Sequence, residues 1–264
     1  MTRAIQAAIC SSIALISLMC NPLYGQTIQF DTIAFSFLGV PYEAHTLDKD
    51  STEKVVVNLS GVDCTTFVEY VVASLSFDEI PDSLNADFYD AVRRVRYRDG
   101  RVGYGSRHHY FSDFIESART MGLLEELTPL LGGIPAAKLV DYMTMHADAY
   151  PQFNADPALY DSIRERELLL SATPYYYIPK EEVAEMQGKL REGDLIAVTT
   201  DIPGLDIQHV GFAYPIAGVP HLMHASTTAH RVVIDSLSLS EYLARVKTAS
   251  GIRVMRLTNK NMKQ

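Results

Sequence analysis

The spacing of apolar and polar positions predicts helices in the first half of the chain. Apolar residues recur at helical intervals from Cys64 to Leu75, as expected for a helix with one face in a core. Asp63 stands immediately before this segment, where a helix N-cap is expected, so Cys64 is predicted to lie in the first turn. Three further segments have the same spacing: 28–38, 84–98 and 112–124.

The pattern changes after Gly193, where β-branched and alternating segments replace the helical spacing. Five segments are predicted as strands: 195–199, 209–214, 221–226, 231–234 and 252–257. Helices followed by a run of antiparallel strands are typical of an α+β fold. No linker interrupts the chain, so we expect a single α+β domain over 26–264, with an inserted helical region at about 80–190.

Residues 1–25 have the anatomy of a secretory signal peptide. Arg3 is the only charge, and the apolar stretch that ends at Met19 is too short to remain as a membrane anchor. We therefore expect cleavage near Gly25 and export, into the periplasm of a Gram-negative bacterium, with no integral membrane segment in the mature protein. A lipoprotein form through Cys20 is less favoured, because the bulky Met19 stands where lipidation requires a small residue.

Charge and cysteine content narrow the classes of partner and of chemistry. The chain has 23 basic and 32 acidic residues and a net charge of −9 at pH 7. An acidic surface without a basic run argues against nucleic acid and anionic membranes as partners. Two of the three cysteines lie in the signal segment, so the mature chain keeps Cys64 alone. A lone cysteine is a packed core thiol, an intermolecular bridge or a nucleophile.

Among these three roles, the position of Cys64 at a predicted helix N-terminus favours that of nucleophile. The N-terminus of a helix stabilises a thiolate over a thiol, and the thiolate is the species that attacks an acyl group. Such a nucleophile also needs a base, and histidine is the usual one. His209 begins a predicted strand and is the favoured base among the eight histidines.

A second histidine is predicted to orient this base. If the strands at 209–214 and 221–226 form a hairpin around 215–218, His224 lies directly opposite His209 on the same face, about 5 Å away. His224 would then accept the second imidazole N–H of His209 and select its tautomer. His221 is the rival for this role, but it lies close to the turn.

Simpler interpretations of the same residues stay open. Cys64 can be an ordinary buried thiol on an apolar helix face. Asp63 is more simply an N-cap than a chemical group, and the cluster 107–110 can be a solvated loop surface. The strand histidines can instead form a metal site, although their spacings are irregular for zinc; the set would be His209, His221, His224 and His230.

Three segments, in this order, resemble the motifs of the NlpC/P60 cysteine peptidases, a papain-like superfamily of cell-wall hydrolases. They are Asp63-Cys64-Thr65-Thr66-Phe67-Val68, His209-Val210-Gly211-Phe212 and His224-Ala225-Ser226. The resemblance implies a papain-like core, in which the helix that carries the cysteine packs on an antiparallel sheet. It also implies that Cys64 is the nucleophile, His209 the base and His224 the orienting residue.

The long separation between Cys64 and His209 narrows the resemblance. With this separation, and with the segments Ser106–Phe114 and Pro203–Asp206, the chain resembles the DUF1460 branch. This branch comprises the N-acetylmuramoyl-L-alanine amidase-like proteins of cell-wall recycling. The similarity runs from about residue 30 to 257. It implies hydrolysis of the amide between the lactyl group of N-acetylmuramic acid and L-Ala in soluble 1,6-anhydro-muropeptides, without a metal or organic cofactor.

Peptidoglycan fragments are therefore the expected partners, and Arg107 is expected to bind a substrate carboxylate in a bidentate pair. Backbone N–H groups near Cys64 are expected to hold the oxyanion. The full set of expected substrate-binding residues is Tyr42, Asp63, Thr65, Arg107, His109, Tyr110, Asp206 and Ser226. Three other functions remain as alternatives: a γ-D-glutamyl-diaminopimelate endopeptidase, a non-catalytic envelope protein that binds muropeptides, and a metal hydrolase.

Overall fold

The computed structural model describes residues 30–49, 52–75 and 86–258. The signal peptide predicted at 1–25, including Cys20, lies outside the described residues. Within the described ranges, no helix combines the length and the apolar character needed to cross a membrane.

The predicted helices are present where the structure describes them. The segment at 30–36 is helical, and we label it α1. The other α-helices are α2 Cys64–Ser74, α3 Ala86–Arg96, α4 Phe111–Thr120, α5 Tyr142–Met145, α6 Pro151–Ala155, α7 Pro157–Ala172, α8 Val183–Met186 and α9 Leu239–Arg245. Helix α4 ends before the predicted limit of 124, because Gly122 takes a φ of 67° and the chain turns into a strand.

The described strands form one antiparallel sheet of eight strands, in the order β2-β3-β8-β4-β5-β6-β7, with β1 paired to β8. They are β1 Leu124–Glu126, β2 Ile134–Ala136, β3 Tyr175–Pro179, β4 Leu195–Thr200, β5 Ile207–Ile216, β6 Val219–Ser226, β7 Arg231–Ser238 and β8 Ala249–Leu257. All five predicted strands are confirmed. Helices followed by an antiparallel sheet confirm the α+β class.

The region predicted as a helical insertion also supplies strands. Strand β1 pairs Leu124 with Leu257, and β3 pairs Ile178 with Ile252, so both extend the main sheet through β8. Strands β1 and β2 have only three residues each and β3 has five. Segments this short are hard to recognise from the alternation of apolar and polar residues.

Helix α2 lies at the centre of the fold. The expectation of one buried face is wrong, because every residue from Thr66 to Ser74 is buried. The ring of Phe67 packs 5.6 Å from that of Phe212 in β5, and Tyr70 packs 6.1 Å from Phe88 in α3. The sheet and α3 thus cover different sides of α2, and the N-terminus of α2 is held against β5.

Candidate active site

The first turn of α2 is fixed by a reciprocal cap. The Asp63 carboxylate accepts the N–H of Thr66 at 2.7 Å, and the Thr66 hydroxyl oxygen accepts the N–H of Asp63 at 2.9 Å. The N-cap predicted at Asp63 is therefore confirmed. This capping box satisfies backbone N–H donors that have no partner within the helix. It also holds Cys64 in place as the first residue of the helix.

The Cys64 thiol meets donors from two elements. Val210 of β5 donates its backbone N–H to the sulfur, and Thr65 contributes both its N–H and its side chain. Strands β5 and β6 pair only from Phe212↔Met223 to the turn, so Val210 lies beyond their paired region. Through Val210 the sulfur lies against β5, one residue along the chain from His209.

Burial raises the pKa of the Cys64 thiol to about 12. The Asp63 carboxylate also raises this pKa, whereas the donors from Val210 and Thr65 lower it. The stabilisation of the thiolate that a helix N-terminus provides is therefore opposed here by burial and by the Asp63 carboxylate. A buried thiolate needs a positive partner, because a single charge is poorly solvated there. Ionisation of this thiol therefore requires a base that accepts its proton.

The hairpin that joins β5 to β6 differs from the predicted one. Its turn is Ala217-Gly218, with φ of 50° and 82°, the combination found in tight two-residue hairpins. The resulting pairs, such as Phe212↔Met223, are shifted by two residues from the predicted register, so His224 is not directly opposite His209. A shift of two residues keeps each side chain on its original face.

The two predicted histidines therefore still meet. His209 Nε2 lies 2.6 Å from His224 Nδ1, and the two rings are nearly perpendicular, with centroids 4.8 Å apart. Burial and the neighbouring His224 lower the pKa of His209 to about 3, and burial lowers that of His224 to about 4. His209 is thus neutral near pH 7 and able to accept a proton, and its Nδ1 atom is not used in the bond to His224.

Close packing at Gly211 keeps the two strands in place. A Cβ at Gly211 would lie 2.6 Å from the Met223 carbonyl oxygen and 2.9 Å from the His224 Cβ. We expect Gly211→Ala to push β6 away and separate the imidazoles, slowing iodoacetamide labelling of Cys64 about tenfold. It should also cost about 1–3 kcal/mol of unfolding free energy.

Gly188→Ala is the matched control, because a Cβ at Gly188 meets nothing within 4 Å. Labelling rate and thermal unfolding would be measured for both variants. Equal labelling rates and equal unfolding temperatures for Gly211→Ala and Gly188→Ala would show that the Gly211 contact does not hold the two histidines together.

Two residues beside the histidines were not predicted. The Tyr242 ring of α9 lies 5.4 Å from His224 and 6.3 Å from His209, covering the pair. Burial raises the pKa of Tyr242 to about 12, with further contributions from Asp235 and Cys64. The Asp235 carboxylate in β7 lies 3.6 Å from His224 Nε2. Asp235 is one residue beyond the predicted strand 231–234, and α9 was not predicted, so neither position carried a sequence signal.

A cavity of about 280 Å³ opens beside the N-terminus of α2. It is lined by Tyr42, Ala44, His45, Thr46, Leu47, Asp48, Asp63 and Arg107. Burial raises the pKa of Tyr42, and the nearby Cys64 and Asp63 raise it further, so this side chain lines the cavity and is also close to the thiol. Three of the expected substrate-binding residues thus line one cavity: Tyr42, Asp63 and Arg107.

Arg107 is less available to a substrate than expected. Its guanidinium binds the Asp48 carboxylate at 2.6 Å, lies 3.5 Å from Glu53, and stacks 4.9 Å above the Tyr104 ring. A bidentate grip on a substrate carboxylate would have to compete with these carboxylates. The sequence could not show this, because 48 and 53 are remote from 107 along the chain.

Four other expected residues do not line this cavity. The His109 Nε2 atom bonds to the Tyr104 carbonyl oxygen at 2.8 Å, and burial lowers the pKa of His109 to about 3. The buried Tyr110 hydroxyl donates to Glu167 at 2.6 Å. Asp206 and Ser226 each accept a backbone N–H, from Ser112 at 2.7 Å and Ala229 at 3.1 Å.

Tyr110 and Asp206 thus make structural contacts, and their expected contact with substrate stays a prediction. Tyr110 belongs to a separate apolar cluster with Met143 and Phe153, and Asp206 caps the start of α4. Thr65, by contrast, contacts the Cys64 sulfur itself. Within the described ranges, no group of three or more histidine, cysteine or acidic side chains is arranged to hold a metal ion.

Comparison with known proteins places this fold, with an antiparallel sheet behind a helix that carries a cysteine at its capped N-terminus, in an amidase-like family. The family model described as AmiA-like, N-acetylmuramoyl-L-alanine amidase-like, matches residues 32–252. The chain belongs to this family, and the resemblance to its DUF1460 branch is confirmed. Among curated proteins there is no match.

Solved structures agree with the family. An N-acetylmuramoyl-L-alanine amidase from Bacteroides uniformis is 35% identical over 88% of this chain and 99% of its own, with a TM-score of 0.82. A Bacteroides fragilis protein named as a xylanase is 37% identical over 86% and 100%, with a TM-score of 0.80. A DUF1460 protein from Legionella pneumophila shares the fold at 21% identity, over 88% and 89%, with a TM-score of 0.66.

Proposed function

We propose that this protein is a cysteine amidase of the NlpC/P60, papain-like type that acts on peptidoglycan fragments. It hydrolyses the amide between the lactyl group of N-acetylmuramic acid and L-Ala, in 1,6-anhydro-muropeptides. The observation that carries the proposal is the imidazole pair of His209 and His224, joined at 2.6 Å beside the helix start that holds Cys64.

The reaction begins with the transfer of the Cys64 proton to His209 as the sulfur attacks the lactyl carbonyl carbon. Neither group ionises readily alone, since burial raises the pKa of Cys64 to about 12 and lowers that of His209 to about 3. Formed together, the thiolate and the imidazolium stabilise each other in the same low-dielectric site. His224 Nδ1 accepts the second N–H of the imidazolium.

The tetrahedral intermediate then collapses, and the C–N bond breaks. The His209 imidazolium gives its proton to the departing L-Ala amine, leaving a thioester on Cys64. Neutral His209 next removes a proton from water as the water oxygen attacks the thioester carbonyl carbon. The C–S bond then breaks and releases the lactyl carboxylic acid, which ionises in water, and the proton on His209 returns to the Cys64 sulfur. Backbone N–H groups near Cys64 hold the oxyanion in both halves of the reaction.

The cavity that includes Tyr42 and Asp63 is the proposed entrance for the substrate, because Asp63 directly precedes Cys64 and Tyr42 is close enough for Cys64 to raise its pKa. The neighbours from Bacteroides uniformis, named as N-acetylmuramoyl-L-alanine amidases, support this bond over the γ-D-glutamyl-diaminopimelate bond. A xylanase would need a pair of carboxyl groups flanking the sugar bond. Here the Asp63 carboxylate caps α2 and Asp48 is paired with Arg107.

The identity of the cleaved bond is tested by mass spectrometry of the products from a defined anhydro-muropeptide. We expect free anhydro-sugar and an intact stem peptide that begins with L-Ala. Retention of a sugar–L-Ala–D-Glu fragment would identify the endopeptidase instead. Binding of the muropeptide without any product, by a protein whose Cys64 fails to react with iodoacetamide, would identify a non-catalytic binding protein.

A further inference from the structure

The Nε2 atom of His224, the ring nitrogen that does not face His209, lies in a buried position. His224 is only 2% exposed, and its Nε2 atom has no hydrogen-bond partner among the described residues. The nearest charged oxygen is Asp235 Oδ2, at 3.6 Å. A buried ring N–H without an acceptor is costly, so the state of this nitrogen matters to the whole pair.

The direction of the bond between the histidines decides where the proton lies. When His209 acts as the acid, its Nε2 carries a proton that must be donated to His224 Nδ1. A neutral imidazole that accepts at Nδ1 carries its own proton at Nε2. His224 Nε2–H therefore points toward Asp235, and a carboxylate is an acceptor that cannot donate in return.

The Asp235 carboxylate is itself held in place. Its Oδ1 accepts the Leu237 N–H at 2.8 Å, which leaves Oδ2 toward His224. The Asp235 carbonyl oxygen is engaged by His221 Nδ1 at 2.9 Å. The other titratable groups around His224 are His209 on β5, Tyr242 on α9 and, near Tyr242, Cys64 on α2.

We propose that Asp235 is a positioning residue that fixes the Nε2–H tautomer of His224 and thereby stabilises the imidazolium of His209. The inference rests on the proposed role of His209 as the base. Asp235 touches neither the thiol nor the substrate, and it acts only through His224. Its negative charge lies 3.6 Å from His224 Nε2, while His209 bonds to His224 Nδ1, and from this position it favours a positive charge on His209.

Replacement of Asp235 by asparagine tests the proposal. The amide can present its NH₂ group to His224 Nε2, which selects the opposite tautomer and turns a donor toward His209. The fraction of Cys64 present as thiolate beside a protonated His209 should then fall. We expect the rate of iodoacetamide labelling of Cys64 at pH 7 to fall about tenfold, and Asp235→Glu, which keeps the charge, to restore part of it.

The matched control is Asp161→Asn, which removes the same charge from an exposed position on α7. Its labelling rate should equal that of the unaltered protein. Thermal unfolding of both variants separates a change at the site from loss of the fold. ¹⁵N spectra of labelled imidazoles supply a second readout, and we expect His224 in the Nε2–H form in the unaltered protein and the Nδ1–H form in Asp235→Asn.

Two results would overturn the proposal: His224 in the Nδ1–H form in the unaltered protein, or equal labelling rates for the folded Asp235→Asn and Asp161→Asn variants. Neither measurement uses a muropeptide. A wrong substrate assignment would therefore leave both results unchanged, whereas a wrong role for Asp235 would appear in them directly.

Discussion

Replacing Cys64 with alanine is expected to reduce hydrolysis of the anhydro-muropeptide by ~10⁴-fold or more, because no other group can form the thioester. The fold should persist, since Cys64 is only partly buried and packs at the edge of the core. His209→Ala should have a similar effect, because the thiol with a pKa raised to about 12 would lose its base. Single-turnover rates measure both.

The double variant Cys64→Ala/His209→Ala makes this test sharper. Residues that act as one unit lose activity together, so the double variant should be no slower than either single one. Thermal unfolding provides the control for folding. Normal turnover by Cys64→Ala, or multiplied losses in the double variant, would contradict a shared mechanism.

Replacing Arg96 with methionine is expected to lower the unfolding free energy by about 3–5 kcal/mol. Arg96 and Glu69 are both almost fully buried, and the Arg96 Nε–H donates to the Glu69 carboxylate at 2.7 Å. Arg96 also donates to the Val56 carbonyl oxygen at 2.5 Å. Its loss leaves a buried carboxylate without its positive partner in the helix that carries Cys64. Denaturant unfolding measures the effect.

Arg94, which lies on α3 like Arg96, offers a matched control. Its contact with Asp90 is also 2.5 Å long, but the Arg94 side chain is 64% exposed, so Arg94→Met should cost less than about 1 kcal/mol. The double variant Glu69→Leu/Arg96→Met should regain much of the loss, because it removes both buried charges. Equal losses in Arg94→Met and Arg96→Met would show that burial of this pair contributes nothing.

Local features of the site were predictable because local interactions set them. The helix that starts at Cys64 follows from apolar spacing and from an Asp63 cap that closes within four residues. The shared face of His209 and His224 was also predictable, since alternation along a strand survives the two-residue error in register. The order of the three motifs sufficed to indicate the amidase-like family, which the family match then confirmed.

The register itself depended on the turn. A two-residue turn requires Ala217 to take a φ of 50°. Alanine rarely adopts a positive φ, so the sequence did not predict this turn. The partners of Arg107 were equally hidden, because Asp48 and Glu53 approach it only after the chain has folded. The same holds for the contact of the Tyr110 hydroxyl with Glu167.

The sequence by itself determined the α+β class, the capped helix with Cys64 in its first turn, and the two histidines on one face of the sheet. Only the tertiary structure decided the electrostatics of these groups. Burial raises the pKa of Cys64 and lowers the pKa of His209, and in the proposed mechanism a proton therefore passes from Cys64 to His209. The tertiary structure also places Asp235 behind His224, because burial and long-range proximity arise only when β5, β6, β7 and α2 pack together.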